Sequence, residues 1–118
     1  MPRQSTTKTT TREPVTRIAR DPDRPPVHPA EIIREDVLPA LNLTKADFAA
    51  ALGISRQMLH GILNEKHPVT VEMAVRLGHV LGNGADIWVR LQQAHDLWHA
   101  KRNIDTSKLT VLANREAA

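Results

Sequence analysis

Residues 44–63, TKADFAAALGISRQMLHGIL, constrain the fold more than any other part of the chain. Two short helical patterns meet there across a glycine. Thr44 is suited to cap the first helix, with Asp47 three positions on as a short-armed capping-box partner. Phe48, Ala49 and Leu52 fall on one side of that helix and predict its buried face. Gly53 stands where a positive φ lets the backbone turn sharply without a Cβ clash. Ser55 caps the next helix, which is expected to run to about Asn64. Its spacing predicts Met58, Leu59, Ile62 and Leu63 inside, and Arg56, Gln57 and His60 outside, with Gly61 on or near the exposed stripe.

Two helices cornered on a glycine form a helix-turn-helix pattern, whose second helix is held where it can enter a major groove. The outward residues carry chemistry suited to that. Arg56 matches the O6/N7 edge of guanine, Gln57 the N6/N7 edge of adenine, and Ser55 either a base or a phosphate. Thr44, Lys45, Asn64 and Lys66 flank this helix, where phosphate contacts would set the docking register. A glycine inside a helix costs about 1 kcal/mol relative to alanine. Gly61 therefore reads as a place where a larger side chain would strike DNA or a neighbouring helix. The plain alternative is a helical hairpin whose polar face is only solvated.

The elements around this pair are also helical. Pro29 suits a first turn, and Ile32, Ile33, Val37 and Leu38 follow on one side, with Pro39 expected to end or kink that helix. Residues 69–70 open a fourth helix carrying Val71, Ala74, Val75, Leu77, Gly78 and Leu81, and residues 82–84 break the chain. A fifth helix is predicted over residues 85–102, with Ile87, Trp88, Leu91, Ala94, His95 and Trp98 along one side. The expected architecture is all-α: a five-helix domain over residues 28–102, preceded by a disordered basic leader and followed by an extension over residues 103–118. Residues 1–27 hold six Lys/Arg against three Asp/Glu and show no apolar periodicity; the rest holds ten of each sign. Binding to an anionic polymer must then rest on a local patch, with the leader adding diffuse attraction. Residues 103–118 are compatible with a short strand, a packed extension or an unordered tail.

Several function classes lack their residues. There is no cysteine, so no disulfide, thiolate zinc site or cysteine nucleophile. No GxSxG or P-loop pattern occurs, and no enzyme, catalytic residue or cofactor is expected. His95 and His99 lie one helical turn apart, but a zinc site needs three or four convergent ligands, so no metal is expected. No apolar run approaches the roughly 20 residues needed to span a bilayer. The start of the chain lacks the hydrophobic stretch of a signal peptide, and a cytoplasmic protein is expected. Trp88, Leu91, His95 and Trp98 form a stripe that suits core on one edge and a self-complementary dimer surface on the other.

The stretch from His28 to Gly82, followed by DIWVRLQQAHDLWHAKR, closely resembles HigA-type antitoxins of the lambda-repressor-like helix-turn-helix class. The marks of the resemblance are His28-Pro29-x-Glu31, Asn64-x-Lys66, Thr70-x-x-x-Ala74-x-x-Leu77 and Trp88-x-x-Leu91-Gln92 with Asp96-Leu97-Trp98. It implies a homodimer that binds a palindrome in its own promoter, with Thr44, Lys45, Ser55, Arg56, Gln57 and His60 toward DNA. It also implies neutralisation of a HigB-type toxin, an mRNA endonuclease; the first helix's outer face (Glu31, Arg34, Glu35, Asp36) or the tails are the expected surfaces. Ile87, His95 and Glu65 depart from the family pattern, and Glu65 disfavours a left-handed turn there. A solitary regulator without a toxin, or a helical interaction module, are the alternative readings.

Overall fold

A computed structural model describes residues 23–113 of the 118. The first 22 residues of the expected leader lie outside that range. Five helices follow, with no strand among the described residues.

Helix α1 is made of three consecutive segments: α-helical Pro29–Ile32, π-helical Ile33–Val37 and α-helical Leu38–Leu41. His28 is its N-cap, with Nδ1 accepting from the Ala30 N–H at 3.0 Å. Pro39 does not end the helix. A proline lacks an N–H and its ring collides with the carbonyl four residues back, which here belongs to Glu35. The π-turn widens the helix over that carbonyl, and the Leu38 N–H reaches back five residues to the Ile33 carbonyl. The helix ends instead at Asn42, in a left-handed conformation with φ 57°.

Helix α2 (Lys45–Leu52) starts on Thr44, whose hydroxyl accepts from the Asp47 N–H at 3.0 Å. It ends at Gly53, φ 73°, where the Ile54 N–H bonds the Ala49 carbonyl at 3.1 Å and closes the corner. Helix α3 (Arg56–Leu63) begins two residues on, with the Ser55 hydroxyl accepting from the Met58 N–H at 3.0 Å. Helix α4 (Val71–Leu81) is capped in the same way by Thr70. Helix α5 (Ala85–Asn103) packs back on α4. Their approach depends on Gly78: a Cβ there would overlap the backbone of Gly84 and Ala85.

Phe48, Ala49 and Leu52 from α2, Leu59, Ile62 and Leu63 from α3, and Met73, Ala74 and Leu77 from α4 form one core with Ile33, Val69 and Trp88. Met58 departs from its predicted inward position and is 43 % exposed, because Leu59 and Ile62 already fill the space between α3 and its neighbours. Past α5, residues 104–113 are exposed and non-helical, and Leu109, Val111 and Leu112 do not pack on the body. No described helix is long and apolar enough to cross a membrane.

Candidate nucleic-acid interface

Helices α2 and α3 bring their N-terminal ends to one face. Lys45, the first residue of α2, and Arg56, Gln57 and His60 of α3 line a single open concavity with no carboxylate among them. All four side chains are exposed. Each helix contributes the positive end of its dipole to this face, so fixed partial charge adds to that of the two cations.

The other sequence-predicted residues frame this ridge. The hydroxyl oxygens of Thr44 and Ser55 accept capping bonds, leaving each hydroxyl hydrogen available to donate outward. Asn64, the C-cap of α3, pairs its Nδ2 with His60 Nε2 at 2.9 Å; with the amide donating, Nε2 is the acceptor. Lys66 lies beyond the helix end in the following turn and does not line the concavity. Gly61 is buried rather than outward, because the His67 ring occupies the place a Cβ would take.

Two arginines that the sequence reading did not place here hold the ridge. Arg34 of α1 donates to the Leu63 carbonyl at 2.7 Å and meets Glu65 Oε2 at 3.3 Å. Arg76 of α4 donates to the Leu52 carbonyl at 2.8 Å, with Glu72 holding its other nitrogen at 3.1 Å. Each guanidinium satisfies a carbonyl orphaned at the C-terminus of one of the two motif helices. Glu65 does take a left-handed conformation, φ 63°, contrary to the expectation for a non-glycine. The Arg34 contact and two backbone bonds converging on the Gly61 carbonyl, from Lys66 at 2.9 Å and His67 at 3.1 Å, hold it there.

Trp88 is only 2 % exposed, with Nε1 donating to Asn83 Oδ1 at 3.1 Å, so it belongs to the chain's own core rather than to the expected dimer surface. Leu91, His95 and Trp98 are half-buried along α5. His95 lies between His28, which it meets edge-to-face, and a tilted His99, at ring-centre distances of 4.7 and 4.4 Å, and Arg102 lies 3.7 Å over the Trp98 ring. Among the described residues no group of three or more His, Asp or Glu is assembled to hold a metal ion. Gln92, a mark of the resemblance whose contacts spacing did not show, is buried and accepts from the Val69 N–H at 2.7 Å while donating to Asp96 at 2.9 Å, locking α5 to the start of α4.

Fold and ridge together define a helix-turn-helix protein, and a profile of helix-turn-helix domains matches residues 33–88. Over 95 residues the chain is 30 % identical to virulence-associated protein I of Dichelobacter nodosus, covering 80 % of this chain and 88 % of the relative. It belongs to the HigA-type antitoxin family of lambda-repressor-like helix-turn-helix proteins. A plasmid-maintenance antidote protein from Nostoc punctiforme superposes with a TM-score of 0.64 at 43 % identity, over 67 % of this chain and 86 % of its own. The Pseudomonas aeruginosa antitoxin HigA, solved with the higBA promoter, superposes with a TM-score of 0.61 at 29 % identity, over 72 % and 99 %.

Proposed function

We propose that this chain is the antitoxin of a type II toxin–antitoxin pair, that it represses its own operon as a homodimer on a palindromic operator, and that it neutralises a HigB-type mRNA endonuclease. The observation that carries the DNA reading is the convergence of Lys45, Arg56, Gln57 and His60 on one open concavity at two helix N-termini. A Pseudomonas aeruginosa relative of the same fold has been solved on its promoter.

In this reading α3 enters the major groove. Arg56 takes a guanine edge and Gln57 an adenine edge, and Thr44, Lys45, Ser55 and Lys66 contact phosphates on either side. His60 and Asn64 act as a pair. A two-fold dimer through the half-buried edge of α5, with Leu91, His95 and Trp98 at its seam, places the two α3 helices about 34 Å apart, one turn of B-DNA. Glu31, Glu35 and Asp36 remain exposed on α1 and suit a basic toxin, while Arg34 is engaged by Leu63 and Glu65.

Fluorescence anisotropy with the promoter duplex upstream of this reading frame, against a scrambled duplex, tests the DNA half. A clear preference for the promoter, with affinity falling steeply as salt rises, is expected; equal weak binding to both would refute it. Co-expression with the neighbouring reading frame tests the toxin half. Growth arrest by the neighbour and rescue by this chain are expected; a harmless neighbour, or arrest without rescue, would refute it.

A further inference from the structure

The row of side chains that begins with Gln57 on α3 is interrupted one turn later by Gly61, yet the space above Gly61 is filled. The His67 imidazole occupies it, with Nε2 2.6 Å and Cγ 3.2 Å from where a Cβ on Gly61 would stand. His67 comes from the turn after α3, not from the helix itself. The chain doubles back at Glu65, φ 63°, and the N–H groups of Lys66 and His67 both close on the Gly61 carbonyl. Pro68 follows immediately and restricts the His67 backbone to extended conformations, which narrows where its ring can go. The ring is nonetheless exposed, and its nitrogens make no hydrogen bond among the described residues.

We propose that His67 is a specificity-determining residue of the DNA interface, standing in for the side chain that Gly61 lacks and reading a base edge beyond the one read by Gln57. This rests on the DNA reading given above. One helical turn past Gln57 is about 5.4 Å along the groove, one to two base steps further on. A neutral imidazole brings one donor and one acceptor, so it addresses a purine N7 or a carbonyl oxygen on the major-groove edge. Gly61 is thereby explained by a residue of this same chain rather than by DNA: it is the seat of the ring. Sequence spacing along α3 could not show this, because the side chain completing the row arrives from the turn that follows the helix.

The test measures His67→Ala, Gly61→Ala, the double variant and Arg56→Ala against the promoter duplex, against scrambled DNA, and against promoter duplexes with each half-site position substituted in turn. His67 is exposed, so its variant should melt within a degree or two of the parent; Gly61→Ala displaces only a side chain. His67→Ala is expected to lose roughly 5- to 150-fold on the promoter, with preference relaxed at one position distinct from that of Arg56→Ala, and little change on scrambled DNA. Gly61→Ala should relax the same position, and the double variant should be no worse than His67→Ala alone. Equal loss on promoter and scrambled DNA would make His67 a phosphate contact and overturn the proposal. So would an unchanged position profile, or additive losses in the double variant. Should the parent itself show no preference for the promoter, the DNA reading fails and takes this one with it; a preference lost by Arg56→Ala but untouched by His67→Ala overturns the His67 assignment alone.

Discussion

The guanidinium of Arg34 and the carbonyl of Leu63 meet at 2.7 Å, and through that bond the middle of α1 holds the last turn of α3. A hydrogen bond to a charged group is worth about 1.5–3 kcal/mol, and less where water competes, as at this half-buried site. Arg34→Ala is therefore expected to lower stability by about 1 kcal/mol in urea unfolding with an unchanged denaturant slope. It is also expected to weaken promoter binding although Arg34 itself need not touch DNA, because the end of α3 loses its brace. An unaltered urea midpoint would show that the contact contributes nothing.

Gly53 supports the corner from the other side. Its φ of 73° is strained for any residue with a Cβ, and a Cβ there would stand 3.0 Å from Arg76 Nη1, the group that donates to the Leu52 carbonyl. Gly53→Ala should destabilise by about 1–2 kcal/mol, mostly through backbone conformation. Thermal unfolding checks this; a midpoint equal to the parent's would mean that the corner relaxes without cost.

Helices and caps were largely legible in the sequence because their causes are local. Thr44, Ser55 and Thr70 each cap with their own hydroxyl, and Gly53 stops α2, as composition and spacing indicate. Pro39 was expected to end or kink α1; the helix runs on past it to Leu41, since a π-turn absorbs the clash that would otherwise end a helix. Met58 was predicted inside because apolar spacing cannot tell which of several apolar residues the neighbouring helices leave room for. The ties that hold the site, Arg34 to Leu63, Arg76 to Leu52 and Gln92 to Val69, span 29, 24 and 23 residues. Nothing in local spacing marks an arginine or glutamine as the partner of one distant backbone group.

The N-cap of α1 carries a pH dependence. Burial holds the His28 imidazole below its usual value of 6.5; Glu65 and Asp96 pull it up, and His95 and Arg34 push it down. Protonation at Nδ1 would also remove the acceptor of the Ala30 N–H. The unfolded chain takes up this proton as pH falls through about 6.5, while the folded chain resists until its own lower value is reached. Stability from His28 is thus complete above 6.5 and is lost as pH falls toward that lower value. Asparagine caps without titrating. The thermal midpoint of the parent should therefore drop further between pH 7.5 and 5 than that of His28→Asn. Parallel pH profiles would remove His28 from this role.

The most direct measurement is the affinity of Arg56→Ala for the promoter duplex and for unrelated DNA, titrated side by side with the parent. A loss of about 1–3 kcal/mol on the promoter, with relaxed preference at one base position and little change on unrelated DNA, is the expected result for a side chain at the tip of α3 that reads a base edge. Promoter affinity and sequence preference both equal to the parent's would contradict the proposed placement of α3 in the major groove.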